Sequence, residues 1–453
     1  MMDKKGLSIV LVISMLLAVC FIAYRQNNDG DNIFAGSDET LYFWYTDASL
    51  EAYINSAALE YYDATGIRVV PVLHSGVEYL EDINAASLSG NEVPDLYILG
   101  SDSIEKAAMA GLAIPVTDPA QIVNQRVYPQ TALDAVTYHG QTFAYPFYYE
   151  TAFLLYNETY LQQMVVSGNE AEGEIEQRVQ EMIPQSIEEI LAIANEYDAP
   201  ENVENIFLWD VSDIFYNYFF TGAYMNVGGT YGDDESVMEI YNEDTIVCMS
   251  VYQDLHQFFS IESKESSYEA VLNDFVAGKT IFTIATTDAI GVLENARSEG
   301  EITFEYGVAM LPGVDAEHVA RGLSSTSAVM INGYSDNADA ANEFAVYLVN
   351  RYADTLYERT QKMPAWFGPE DYEENIFDRV NEVYAASVPL PKILEISNFW
   401  VQLELAYTRI WDGADVNETL RTLSEQMKTQ IAGAPVTEEV ITVVLPEEEE
   451  VVN

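Results

Sequence analysis

The stretch TLYFWYTDASLEAYINSAALEYYDATGIRVVPVL, residues 40–73, carries the architecture of the chain. Thr40–Tyr45 is an apolar, strand-like run. Leu50, Tyr53, Ile54, Ala57, Ala58 and Tyr61 then fall at i, i+3, i+4, i+7, i+8 and i+11, which is one apolar stripe on an α-helix. Gly66 ends that helix as a C-cap residue does. Ile67–Leu73 is the next strand, and Pro71 places it at an edge or a strand end. Asp95–Leu99 reads as a third strand and Ile104–Leu112 as a helix ending near Gly111. Strand, helix, strand, helix, strand is the signature of an α/β protein with a parallel sheet and crossover helices.

The same texture resumes downstream. Ser186 and Glu189 form a capping box that opens a helix to about Tyr197. Tyr268–Ala277 is a short helix, Lys279–Ala285 a strand, and Tyr306–Leu311 a strand stopped by Pro312-Gly313. Ala338–Asn350 is a helix with Ala341, Phe344, Ala345 and Leu348 inward. Val416, Leu420, Leu423, Met427 and Ile431 mark a last amphipathic helix. Gly168–Gln180 is a polar, acidic insertion, and Val436–Asn453 reads as a solvated acidic tail. No fixed-period repeat is present.

Composition narrows the function classes. The 453 residues hold 19 Lys+Arg against 74 Asp+Glu, a formal net charge of −55. Nucleic acid is excluded as a partner because phosphate contacts need clustered bases, and so is a basic face for anionic lipid. At 49% hydrophobic and 12% aromatic, the chain has the material for a large core, so its acidity belongs mainly to a solvated surface. His-Glu-x-x-His, Gly-x-Ser-x-Gly and Cys-x-x-Cys are all missing from the sequence. Ala277-Gly278-Lys279-Thr280 imitates the end of a P-loop, but Asn273 stands where its first Gly belongs and a strand follows. His74, His139, His256 and His318 are not spaced as metal ligands. No cofactor, metal or catalytic constellation is expected, and the chain does not read as an enzyme.

The N-terminus sets the compartment. Lys4 and Lys5 precede Leu7–Tyr24, 18 residues without a charge. Residues 1–24 therefore read as a signal peptide or a membrane anchor, residues 25–39 as a tether, and the bulk of the chain as extracytoplasmic, tethered to the outer face of the cell membrane. Leu17-Ala18-Val19-Cys20 resembles a bacterial lipobox, whose Cys is lipidated. Val19 departs from that pattern, so lipidation at Cys20 and an uncleaved anchor both stay open.

Several segments, in order, resemble the family-1 extracellular solute-binding proteins of ABC importers, the group of maltose-binding protein. Leu41-Tyr-Phe-Trp-Tyr-Thr-Asp47 looks like the family's first strand and following loop. Glu60-Tyr-Tyr-Asp-Ala-Thr-Gly-Ile-Arg-Val-Val70 is similar to its Thr-Gly-Ile-x-Val segment. Val93–Asp102 with Ala110–Pro115 resembles its Pro-Asp strand and Gly-Leu turn. Tyr138-His-Gly-Gln-Thr-Phe-Ala-Tyr-Pro-Phe-Tyr-Tyr-Glu150, then Leu155-Tyr-Asn157, resembles the segment crossing between lobes. Phe275–Phe282, Tyr306–Pro312 and Ser397-Asn-Phe-Trp400 complete the set.

The resemblance implies an α/β fold of two lobes joined by hinge crossovers, with the ligand in the cleft. One lobe would take residues 40–148 plus about 307–348, the other 149–306 plus about 349–434, leaving 435–453 as the tail. It implies capture of a carbohydrate or similar small polar solute for ABC permease subunits. Asp47, Asp102, Glu150 and Trp400 are the site residues carried over, Asp47 and Asp102 being alternatively helix caps and Trp400 alternatively core. Asp213, Phe215 and Tyr216 fall in the second-lobe segment that carries a carboxylate and an aromatic in the family. Leu99, Ser103, Asp288, Val401 and Glu404 replace aromatic or basic groups of maltose-binding members. The ligand expected is thus a neutral sugar other than a maltodextrin, an amino sugar or a cationic solute, bound partly by Asp288 and Glu404. A membrane-tethered sensor or scaffold is the alternative, and a carboxylate-based glycoside hydrolase the remoter one.

Overall fold

Alternating burial along residues 40–73 builds the first βαβ unit. In the computed structural model, which describes residues 40–443 apart from 77, 91, 118, 167–171, 262–266 and 368–375, strand β1 is Thr40–Tyr45 and helix α1 is Glu51–Thr65. Tyr53, Ile54, Ala57, Ala58 and Tyr61 are its buried face, the stripe that the spacing predicts. Gly66 takes φ of +79° and its N–H donates to the Tyr62 carbonyl, a left-handed cap that costs a residue with a Cβ roughly 1 kcal/mol or more. Strand β2, Arg68–Leu73, then pairs parallel to β1 with Pro71 opposite Phe43. It is the outermost strand, where a missing N–H is harmless.

The elements that follow are α2 (Tyr79–Ser89), β3 (Leu96–Gly100), α3 (Ile104–Met109), α4 (Gln130–Ala135), β4 (Ala144–Asn157), α5 (Glu172–Met182), α6 (Ile187–Glu196), β5 (Asn205–Phe207), β6 (Asn226–Gly228), β7 (Asp234–Glu239) and α7 (Glu243–Phe259). After them come α8 (Tyr268–Val276), β8 (Thr280–Thr286), α9 (Asp288–Glu299), β9 (Tyr306–Ala309), β10 (Leu323–Ile331), α10 (Ala338–Val346), β11 (Met363–Pro364), α11 (Ile376–Ala386), β12 (Val388–Pro389), α12 (Phe399–Trp411) and α13 (Val416–Ala432). One ten-stranded sheet runs β2-β1-β3-β10-β4-β8-β5, with β9 and β11 on β4 and β12 on β10.

Strand β4 organises the molecule. Its first half pairs antiparallel with β10, from Ala144↔Met330 to Thr151↔Ser324. Its second half pairs with β8, from Ala152↔Thr286 to Tyr156↔Phe282. Two groups of buried side chains lie along it. The first includes Phe43, Tyr53, Tyr97, Tyr149, Met330 and Phe344. The second includes Leu154, Tyr156, Trp209, Tyr252, Phe282, Trp411 and Leu420. At the changeover, Tyr149 stacks on Tyr384 at 3.7 Å between ring centres and donates to the Asn381 side chain at 2.7 Å.

Several local readings differ from what is observed. The first group of buried side chains takes in Leu272, Phe275, Ala289 and Leu293 as well as Val349, Tyr352, Leu356, Val380 and Tyr384, so it is not confined to the segments expected for one lobe. These apolar side chains fit either core by type, and only contact assigns them. Part of the polar Gly168–Gln180 insertion is helical as α5, and Val179 is buried in the second core. The helix expected to Asn350 ends as α10 at Val346 and continues as a π-helical turn, Tyr347–Arg351. The tail is not wholly solvated. Glu438 accepts from Ser424 at 2.6 Å and pairs with Lys428, while the Ile441 N–H donates to Tyr241. Among the described residues no helix is long and apolar enough to cross a membrane. The first hydrophobic run with Cys20, residues 1–39 as a whole, and 444–453 lie outside the described residues.

Candidate functional site

Sheet register gathers most of the expected acids. Glu150 faces Ser325 of β10, two residues before β4 begins to pair with β8 at Ala152. Asp288 opens α9 just past the end of β8, close enough for its charge to act on Glu150. Lys362, the residue before β11, also acts electrostatically on Glu150. Lys362 meets Asp47 at 2.9 Å and lies 5.6 Å over the Tyr148 ring. Asp47 follows β1 and also accepts from the Ser49 N–H at 2.9 Å, so the cap and the site are one residue. Partial burial alone would raise the Asp47 carboxyl, but hydrogen bonds from Lys362 and Ser49 hold it below the usual carboxylate range. Glu150 is open to solvent yet enclosed by protein on most sides, and that desolvation, then Asp288, pushes its carboxyl up.

The opposite wall comes from the second core. Tyr216 stacks on Tyr268 at 4.6 Å, and the Tyr268 hydroxyl donates to Asp288 at 3.1 Å. Thr286 donates to the same carboxylate. Asp213 accepts from the Phe215 N–H at 2.8 Å, capping a short turn, and the Phe215 ring stands edge-on to Tyr216. Glu404 lies within 3.5 Å of the Ile214 N–H. Trp400 sits one helical turn earlier than Glu404 on α12, on the same face. Its ring packs edge-on to Tyr218 at 5.7 Å and borders a cavity of about 420 Å³ with Arg321, Asp134, Ser387 and Phe399. Glu150, Tyr216, Asp288 and Glu404 do not line that cavity.

Asp102 is separate. It stands at the mouth of α3, pushed up by desolvation and drawn back by its own and Ser103's N–H groups and by Lys392. The charge that acts on it is Lys392 rather than Glu150. The sequence reading also missed Lys362, Tyr268 and Lys392. With only 19 bases against 74 acids, the position of each base was the available signal. Among the described residues, one group of carboxylates spaced for a cation is present, Glu105, Glu235 and Glu395, and it lies apart from this site.

The arrangement offers hydroxyl and carboxylate acceptors, one ammonium donor and aromatic faces, the groups that bind a polyol. Residues 46–351, more than half of the chain, match the family model described as bacterial extracellular solute-binding protein. A maltooligosaccharide ABC transporter solute-binding lipoprotein of Streptococcus pneumoniae is 21% identical over 399 residues, 85% of this chain and 87% of that protein. A galactooligosaccharide-binding protein of Bacillus subtilis is 20% identical over 447 residues, 95% and 98%. An extracellular solute-binding protein from Staphylococcus aureus, solved with maltose, superposes with a TM-score of 0.71 at 18% identity, covering 87% of this chain and 98% of that one. At that identity the likeness is one of fold, and the α/β, two-lobed architecture is shared.

Proposed function

Because the chain belongs to the bacterial extracellular solute-binding proteins, we propose that it captures a carbohydrate in the cleft between its lobes and delivers it to the permease of an ABC importer. The observation that carries this is Glu150 on β4, between Tyr149 of the first core and Ala152 of the second, with Asp288 and Lys362 both acting on its carboxyl. A ligand bridging Glu150 and Lys362 to Tyr216 of the second core would touch both lobes, so binding is tighter when they close. The lobes meet at β4 and at β12, and the second core begins again at Ile393. The role is binding rather than catalysis, and the N-terminal run, through Cys20 or as an anchor, tethers the protein outside the membrane.

Within carbohydrates, the acidity of the site favours an amino sugar. Asp47 is neutralised by Lys362, but Glu150, Asp213, Asp288 and Glu404 have no cation in contact among the described residues. The relatives take maltooligosaccharides and galactooligosaccharides by name, so similarity at this level leaves the sugar open. Thermal-shift screening of the full chain against maltotriose, a galactooligosaccharide, a glucosamine trisaccharide and a polyamine decides among them, because a ligand stabilises the folded state by mass action. A shift with the glucosamine oligomer that vanishes in Glu150→Ala supports the reading. A larger shift with maltotriose refutes the amino-sugar preference, and no shift with any saccharide refutes the carbohydrate reading.

A further inference from the structure

Lys392 lies on the last crossing, between Tyr384 of the first core and Ile393 of the second, and is only 2% exposed. Its ammonium donates to the Asp134 carbonyl on α4 at 3.0 Å, from the first core's side. It also donates to the Tyr231 carbonyl, in the turn between β6 and β7 on the second core's side. Its backbone N–H donates to Gly232 at 2.7 Å. One side chain thus ties both lobes and the crossing together.

The surroundings are acidic but stop short of pairing. Asp233 faces the ammonium from the β6–β7 turn, Asp134 from α4, Asp102 from before α3 and Glu105 from α3. Asp233 is engaged by the His139 N–H at 2.6 Å. Glu105 is engaged by the Leu394 N–H at 2.7 Å and the Tyr138 hydroxyl at 3.2 Å, with Glu235 and Glu395 beyond it. The hydrogen bonds of Lys392 go to neutral carbonyls, and a buried charge without a paired carboxylate is costly. Burial outweighs the four acids and brings the ammonium down to about 8.

We propose that Lys392 is a positioning residue for the hinge: its buried charge destabilises this interlobe junction, and separating the lobes there returns the ammonium to water. The proposal rests on the hinge closure proposed above, but not on which sugar is bound. In water a lysine keeps its proton to about pH 10.4. Between about pH 8 and that value the separated junction binds more protons than the formed one, so rising pH favours the formed junction, by up to about tenfold per pH unit. Below about pH 8 both forms are charged and the bias toward separation is complete.

The test is a spin-label distance across the lobes of the full chain, without ligand, in detergent. Labels go on Leu88→Cys of α2 and Phe258→Cys of α7, both exposed, in a Cys20→Ser background, with Cys248 left buried. The expected result is a distance distribution that is constant below about pH 8 and shifts progressively from there toward pH 10. Lys392→Met should no longer respond to pH, and Lys392→Arg should keep the pH 7 distribution throughout. An unchanging wild-type distribution, or a shift beginning near pH 8 that survives in either variant, overturns the proposal. If Lys392→Met fails to fold by circular dichroism, the Arg variant decides alone. Distances that respond to bound saccharide but not to pH sink the role of Lys392 and leave the function standing. Distances that respond to neither sink the hinge reading as well.

Discussion

Glu150→Gln keeps the length of the side chain and one carbonyl acceptor while deleting its charge. A hydrogen bond to a charged group contributes about 1.5–3 kcal/mol, which is roughly 10- to 150-fold in affinity at about 1.4 kcal/mol per decade. The same residue sets a pH dependence. Burial first, and Asp288 second, raise the Glu150 carboxyl above its ordinary value, near 4.3 in model peptides. As pH falls through that raised value the carboxylate is lost, and the affinity for a glucosamine trisaccharide falls with it. A like charge near a carboxylate at an effective dielectric near 20 repels it by on the order of 1–2 kcal/mol. Solvent on the open side of Glu150 reduces that to about 1 kcal/mol or less. Asp288→Asn should therefore move the midpoint of the pH–affinity curve down by less than about one unit. Titration calorimetry from pH 4.5 to 7.5 on wild type, Glu150→Gln and Asp288→Asn reads all three. The reasoning fails if Glu150→Gln binds within about twofold of wild type, or if its affinity keeps the acid-side fall of the parent.

Other outcomes follow from the framework. Gly66→Ala forces a Cβ into φ of +79° and should lower stability by about 1 kcal/mol, measured by urea unfolding. Asn242→Ala removes a side chain that accepts from the Thr245 N–H at 2.9 Å in a capping box, at a cost of about 1 kcal/mol by the same assay. Phe282→Ala, fully buried in β8 between the two cores, should cost about 3–5 kcal/mol. The Cys248 thiol is pushed up to about 12, chiefly by burial. At pH 8 only about one molecule in ten thousand is then thiolate, so native protein should resist thiol reagents over hours while urea-unfolded protein reacts at once.

The first βαβ unit was legible because its signals are local. The stripe on α1, the cap at Gly66 and the proline of β2 each act within a few residues. Asp47, Glu150, Tyr216 and Asp288 were also within reach, since they stand at strand ends or short turns whose positions follow from the same periodicities. The resemblance to a family supplied what periodicity lacks, namely which strand ends face the cleft. Asp102 shows the limit. It occupies the expected place in sequence, yet its electrostatic partner is Lys392 on the hinge.

The extreme acidity, −55 over 453 residues, was settled by composition alone, as was the exclusion of nucleic acid. So was the alternation that makes the chain α/β, because hydrophobic period depends only on nearest neighbours along the chain. Tertiary structure alone decided where the few bases go. Lys362 neutralises Asp47 and Lys392 is buried between lobes because strands β1, β11 and β12, distant in sequence, are brought together by sheet register and core packing. Side-chain pairing across such distances depends on contacts that no local pattern encodes.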